Sequence, residues 1–481
     1  AQMMNEAERI VSFTNDYLPL KTYNNIHEGN ALRVNWEEVI DPKELDYIIG
    51  NPPFVGYSLQ SKEQKDDILS IYLDEKGKPY KTAGKIDYVA GWYWKSSALM
   101  SLALQRGKTV RAALVSTNSI TQGEQVAAIW KPLYERFGIH IDFAWRTFRW
   151  DSESTLKAHV HCVIVGFSIS KNEKKRELYY GNGSLKECNN INSYLIAAED
   201  VFVESNKNCL CTVPSMTTGN RPADGGHLII EASDYDEFIK EEPKALPYIK
   251  KLIGSEEFIN NKKRYCLWLK NISPAELRNM PSILERVTAC KEDREASPDA
   301  GRRKLAERPH LFRETNNPDS FIVVPAVSSE RRKYIPMGFL DNSYIPTNLV
   351  TIIPDASLYH FGILTSNVHM AWMRAVCGRL KSDYRYSKDI VYNNFPWPTP
   401  TEEQKAKIEQ TAQAILDARA LYPDSSLADL YDEVTMPVEL RKAHQNNDRA
   451  VMQAYGFPIK DFTESDCVAK LLEMYKELTE K

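Results

Sequence analysis

The stretch Asp46-Tyr47-Ile48-Ile49-Gly50-Asn51-Pro52-Pro53-Phe54 constrains the fold more than any other part of the chain. An apolar strand runs straight into two prolines and an aromatic residue. Each proline fixes φ and removes an N–H donor, so the chain can neither extend the strand nor begin a helix there. The result is a rigid loop whose carbonyls remain free as acceptors. In an open α/β sheet, ligands bind just beyond the carboxyl ends of the strands, which is where this loop would sit. The neighbouring pattern agrees. Short apolar segments at 45–50, 112–116, 139–145 and 160–167 alternate with helical stretches such as the amphipathic 88–104. This spacing predicts an α/β domain with a largely parallel sheet over residues 1–195, in which the strand before Asn51 is buried.

A rigid ring of acceptors suits an exocyclic amine. The lone pair of an amine on an aromatic ring is delocalised, so the nitrogen is a poor nucleophile until something relocalises it. The side-chain oxygen of Asn51 and the carbonyl of Pro52 can each accept one N–H bond and aim the lone pair at an electrophile. Phe54 would stack on the ring. The competing view, a simple strand-ending turn with Phe54 in a core, is weakened by the apolar strand that leads into the loop.

Beyond the α/β region, residues 205–398 are irregular, with short strands and many turns, and they end in Phe395-Pro396-Trp397-Pro398-Thr399-Pro400, which reads as a stiff linker. Residues 401–481 read as helical: Thr401-Glu402-Glu403-Gln404 is a capping-box signature, and a second helix is expected from about Pro437 to Tyr455. Hydrophobic residues make up 43% and charged residues 26% of the 481, an ordinary globular mixture that excludes a disordered or collagenous chain. The first thirty residues, with Glu6, Glu8, Arg9 and Asp16, lack a signal-peptide pattern, and no apolar run is long enough to span a bilayer. Eight scattered cysteines without a CxxC pair point to a reducing cytoplasm. His159 and His161 flank no further ligand, so no metal is expected. The net charge of −4 hides a basic stretch: residues 261–340 carry 16 Lys and Arg against 10 Asp and Glu.

The strand followed by Asn51-Pro52-Pro53-Phe54 resembles the hallmark of the amino-group, N6-adenine class of S-adenosylmethionine-dependent DNA methyltransferases. The segments Glu307-Arg308-Pro309-His310, Val327–Arg332, Gly378–Ser387, Tyr392–Pro398, Ser426–Asp432 and Met436–His444 are similar to the recognition and C-terminal regions of the MmeI-like restriction-modification family. The resemblance implies a partial Rossmann-like class I methyltransferase domain, then an α+β target-recognition domain over 205–398 and a helical domain over 401–481. It implies S-adenosylmethionine as cofactor and double-stranded DNA with a specific recognition sequence as partner. Asn30, at the end of a preceding strand, would bond the cofactor's adenine. Phe167 is the positional match for the aromatic that stacks on a flipped base, with Phe148 and Trp150 competing for the role.

The family's Gly-rich cofactor turn has no counterpart before Asn30, and residues 1–6 read like the middle of a helix. The chain is therefore expected to be the C-terminal part of a longer protein and to need that protein's N-terminal part. Two other readings stay open: a binding-only specificity protein with an inactive catalytic domain, and an amino-methyltransferase acting on RNA or protein glutamine. For DNA contact, Arg331 and Arg332, with positions 302, 303, 304, 308 and 333, are candidates for phosphates. An extended Lys381-Ser382-Asp383-Tyr384-Arg385 would put Lys381, Asp383 and Arg385 on one face with the chemistry to read base edges in the major groove.

Overall fold

The structure is a computed structural model that describes residues 26–151, 159–170 and 174–480. Residues 1–6, expected as helix, lie outside the described residues.

The first sheet has six strands: β1 (Tyr47–Gly50), β2 (Arg111–Thr117), β3 (His140–Asp151), β4 (His159–Ser168), β5 (Arg176–Tyr179) and β6 (Leu185–Cys188), in the order β1-β2-β4-β3-β5-β6. β1 and β2 are parallel, and the crossover between them carries the helices Lys62–Ile71 and Ala90–Gln105. The expectation of a largely parallel sheet is corrected here. β4 returns from β3 as a hairpin and inserts between β3 and β2, antiparallel to both, while β3–β5 is parallel and β5–β6 antiparallel. The expectation of a buried β1 is corrected as well. Among the described residues β1 pairs only with β2, and Tyr47 and Ile49 are 66% and 82% exposed. The helix Ala90–Gln105 buries Tyr93 against the sheet, where its ring stacks on Phe167 at 5.2 Å and meets Trp130 edge-on.

The middle of the chain builds three small sheets from β7 (Thr217–Thr218), β8 (Ile229–Glu231), β9 (Ile249–Ile253), β10 (Arg264–Leu267), β11 (Ser320–Pro325), β12 (Val327–Ser328), β13 (Gly338–Asp341), β14 (Tyr344–Pro346), β15 (Val350–Pro354), β16 (Gly378–Leu380) and β17 (Asp383–Arg385). Their orders are β14-β9-β10-β8, β13-β11-β15-β7 and β12-β17-β16. The first packs with the helix Pro281–Glu295 around a core of its own. In this core Arg294 is wholly buried and donates to the carbonyls of Pro222, Ala223, Leu305, Arg308 and Leu311. One charge of the basic stretch is thus spent inside, satisfying backbone that would otherwise be orphaned.

Three long helices, Glu402–Ala420, Val438–Tyr455 and Glu464–Thr479, complete the chain. The capping box at Thr401 is formed in both directions, with Gln404 N donating to Thr401 Oγ1 and Thr401 N to Gln404 Oε1. No helix among the described residues is long and apolar enough to cross a membrane. The proline run is not an exposed linker. Phe395 and Trp397 are buried, His369 meets the Phe395 ring edge-on at 4.5 Å, and Tyr455 Oη donates to the Pro396 carbonyl. The aromatic residues between the prolines seal the middle region to the C-terminal helices, and one continuous core runs from Leu32 to Tyr475.

Asp448 marks that seam. Its carboxylate accepts from Tyr334 Oη at 2.7 Å and from Asn367 N at 2.8 Å. Burial pushes the carboxyl up from its ordinary 3.8 to about 6, against the pull of those two donors and of the Lys333 and Arg374 charges. A pKa raised by folding gives stability that is fully present below the unfolded value and lost as pH rises through the folded one. Asp448→Asn is expected to remove this loss, on the order of 2 kcal/mol. Thermal melts should show the difference in midpoint, variant minus parent, growing between about pH 4 and pH 6 and flat above.

Candidate active site

The loop after β1 is held from below by one carboxylate. Asp87 Oδ1 accepts from the Tyr57 amide at 2.9 Å, and Oδ2 accepts from Ser119 Oγ at 2.5 Å. The Asp87 amide donates to Gln125 Oε1, and the Tyr88 amide donates to the Val55 carbonyl at 2.9 Å. Asp87 is buried and so ties the Asn51–Tyr57 segment to the turn beyond β2 and to the following helix. Within the loop Pro52 is buried, Phe54 is 36% exposed, and Asn51 is exposed with no partner among the described residues. The amide of Asn51 is open to a ligand while its backbone is fixed.

Asn30 lies across the mouth of the same site. No strand leads into it among the described residues; residues 30–33 form a turn, closed by Asn30 Oδ1 accepting from the Leu32 amide at 2.9 Å. Its Nδ2 donates to Asp67 Oδ2 at 3.0 Å and to Tyr88 Oη at 3.2 Å. Tyr88 Oη also donates to Asp67, and Arg33 Nε donates to Asp67 Oδ1 at 2.6 Å. Burial works to raise the Asp67 carboxyl, and the bonds from Arg33, Tyr88 and Asn30 outweigh it, so the group stays below the usual carboxylate range. Lys95 reaches up from the helix below to donate to the carbonyls of Ala31, Leu32 and Val34, and burial lowers its pKa. Gly91 lies beneath the turn, where a Cβ would sit 2.8 Å from a Leu32 methyl and push that side chain aside. Asn30, Pro53, Asp67, Tyr88 and Trp92 share one cavity of about 560 Å³. Two segments the sequence singled out separately therefore meet.

Of the candidate aromatics, Phe167 is fully buried against Tyr93, so it cannot reach a base. Its strand register places it in the core, opposite Ala112 and Ile141. Trp150, 48% exposed, lies toward the opposite end of β3. Among the basic candidates Arg331 is exposed, while Arg332 is half-buried. Burial lowers the Arg332 pKa, with the Asp383 and Asp432 carboxylates working against that shift, so its charge is engaged within the fold. Arg302 pairs with Asp293, and Arg303 and Arg308 donate to nearby carbonyls. The expected alternation of Lys381, Asp383 and Arg385 holds only in part. β16 and β17 form a hairpin with Leu380 opposite Asp383, and Lys381 occupies the turn at φ +57°, off the face of β17. Asp383 and Arg385 do share that face, and Tyr384 between them is buried under the Arg379 guanidinium at 4.2 Å.

Sequence reasoning gave no role to Asp67, Asp87 or Lys95. Asp67 stands 37 residues from Asn30, and nothing in its local pattern marks it. Lys95 did carry a signal: it is the lone charge in the apolar helix segment Ala90–Gln105.

A mixed α/β sheet with a proline-rigid acceptor loop at the end of a strand, fused to small recognition-like β-sheets, defines the class: methyltransferase-like proteins with an attached recognition region. Residues 1–180 match the MmeI DNA-methyltransferase domain, 197–399 the MmeI target recognition domain and 400–481 the MmeI C-terminal domain, and the chain belongs to the MmeI family. It is 40% identical over its whole length to DNA methyltransferase A of Bacillus subtilis (strain 168), of which it covers 53%. It is also 40% identical to the Type IIL restriction-modification enzyme MmeI solved in complex with DNA, with a TM-score of 0.86 over 99% of this chain and 63% of that one. The chain thus spans about half the length of the curated relative it matches.

Asp87→Ala is expected to free the loop. Losing a buried acceptor of two donors should cost about 1–3 kcal/mol in thermal stability. Hydrogen exchange at the Tyr57 amide should accelerate well beyond that at strand β2, and equal protection in parent and variant would show that the clamp does not hold the loop.

Proposed function

We propose that this chain forms the catalytic and sequence-reading part of an S-adenosylmethionine-dependent DNA methyltransferase that modifies adenine N6 within a bacterial restriction-modification system. The observation that carries the proposal is the Asn51–Phe54 loop, rigid, exposed at Asn51, and bordering the cavity that Asn30 lines. Adenine, flipped from the duplex, would place its amine between the Asn51 side-chain oxygen and the Pro52 carbonyl. Both accept its N–H bonds and draw the lone pair out of the ring. Phe54 offers an exposed ring for stacking, and Trp150 replaces Phe167 as the second aromatic.

S-adenosylmethionine, when bound, supplies an electrophilic methyl group on a sulfonium. The residues present fit its adenosine end: Asn30 Oδ1 uses one lone pair on the Leu32 amide and keeps the other for an adenine amine. Trp92 and Pro53 give the cavity apolar walls. Among the described residues the outer edge of β1 is unpaired, and a further strand carrying a Gly-rich turn would add there. For DNA, Asp383 and Arg385 would read base edges from the face of β17, and Lys381 and Arg331 would meet phosphates.

Asn51→Ala in the full-length parent is expected to lower methyl transfer by at least two orders of magnitude, about 3 kcal/mol or more of barrier, with duplex binding retained. Restriction-protection assays beside gel shifts measure the two separately, and near-normal methylation by the variant would refute the mechanism. Titration calorimetry should find S-adenosylmethionine binding to the 481-residue chain far weaker than to the full-length protein, since this chain supplies only part of the pocket.

A further inference from the structure

We propose that the cleft between the first sheet and the β16–β17 hairpin binds a backbone phosphodiester, gripped from one side by Arg146, Arg149 and His161 and from the other by Arg379. The assignment rests on the DNA reading above and adds to it a place where recognition and catalysis hold the same strand.

The cleft has a volume of about 460 Å³, and its walls include Arg146, Arg149, His161, Tyr180, Glu330 and Arg379. Arg146 and Arg379 bring guanidinium groups to it from opposite walls, and Glu330 stands beside Arg379. Glu330 sits 3.8 Å from Arg379 Nη1, too long for a hydrogen bond. Arg379 is held rigidly: its guanidinium lies over the Tyr384 ring, and Nη1 donates to the Ser382 carbonyl at 2.9 Å. Its Nε is buried and has no hydrogen-bond partner. Arg146 likewise has its guanidinium carbon over the Tyr180 ring, 5.3 Å from the centroid. A guanidinium stacked on a ring directs its N–H groups sideways in its own plane, which is the geometry that matches a phosphate's oxygens. Like charges gathered in one cleft repel, and an anion entering between them turns that repulsion into attraction.

Register fixes where the cleft lies relative to the loop. Gly50 pairs with Leu114, Thr117 with Cys162, and Arg149 with His161, so Asn51, the end of β2 and this arginine all emerge at the same edge of the sheet. The β3–β4 pairing slips between Trp145 and Phe148, and this bulge falls at Arg146. Bulges commonly re-aim a side chain beside a functional site. Arg379 stands on the strand paired with β17, which carries Asp383 and Arg385. One phosphodiester in the cleft would therefore be held both by the sheet that presents Asn51 and by the hairpin proposed to read bases.

The test uses the 481-residue chain and a fluorescein-labelled duplex of mixed sequence, with binding followed by anisotropy across a salt series. Removing one arginine that neutralises a phosphate should flatten the slope of log K against log salt by about 0.9. Arg146→Ala, Arg149→Ala and Arg379→Ala should each flatten it in this way, with affinity at low salt reduced roughly 3- to 10-fold for every sequence alike. Arg149→Lys, which keeps the charge, should retain the slope, and Lys460→Ala on a distant exposed surface should match the parent. Inorganic phosphate is the second probe: a cleft built for a free anion would bind it tightly enough to displace duplex at low millimolar concentration, whereas a backbone site should not. A parent that binds duplex while the Arg146→Ala/Arg149→Ala double variant keeps the full slope, with an unchanged melting midpoint, overturns the cleft assignment alone. Displacement by phosphate overturns the backbone assignment, and failure of the parent to bind any duplex overturns the DNA reading and this inference with it.

Discussion

Asp87 is the residue on which the site depends. A loop with two prolines has few amides of its own to bond, so its position has to be fixed from outside. One buried carboxylate does this by accepting from the Tyr57 amide on one side and from Ser119 on the other. A carboxylate suits the task better than an amide because it accepts with both oxygens and never needs an acceptor itself. The loop is then rigid at its base while Asn51 at its tip stays open, and that combination is what acceptor groups need if they are to act without reorganising.

The same division of labour appears at the Asn30 turn. Asp67 and Tyr88 hold the asparagine amide from one side, Arg33 in turn holds Asp67, and Lys95 collects three carbonyls from below. Asp67 is buried and Lys95 half-buried, each bonded to the groups that satisfy it, while Arg33 stays exposed at the rim. Their work is to hold backbone in place around a cavity that Asn30 helps to line.

How much of this was legible in the sequence follows physical lines. The Asn51–Phe54 loop was readable because proline acts on its own backbone and needs no context. The Thr401 cap and the helix after Pro437 were readable for the same reason, since caps and helical periodicity are local. Phe167 was not, because whether a strand aromatic faces a core or a cleft depends on which strand lies beside it, and β4 turned out to sit between β2 and β3. The burial of β1 failed for a similar reason: an apolar strand looks alike at an edge and at a centre. Lys381 fell in a turn, because alternation was carried across two residues that reverse the chain. The proline run from 395 to 400 misled because stiffness was taken for a linker, while Phe395 and Trp397 supplied enough apolar surface to bury it.

The hairpin that carries Asp383 and Arg385 has a consequence for how such a protein can change. It is joined to the rest of the fold through the β12–β17 pairing, where Val327 lies opposite Arg385 and Ser328 opposite the buried Tyr384. Arg385 is exposed, and exchanging a side chain of this kind usually alters stability by no more than about 0.5 kcal/mol, whereas Asp383 also accepts from the Glu330 amide and faces the Arg332 charge. Variation at Arg385 can therefore accumulate without a folding penalty, as an interchangeable bit on a fixed tool holder, and under the proposed reading such an exchange would alter binding preference while the first sheet stays as it is.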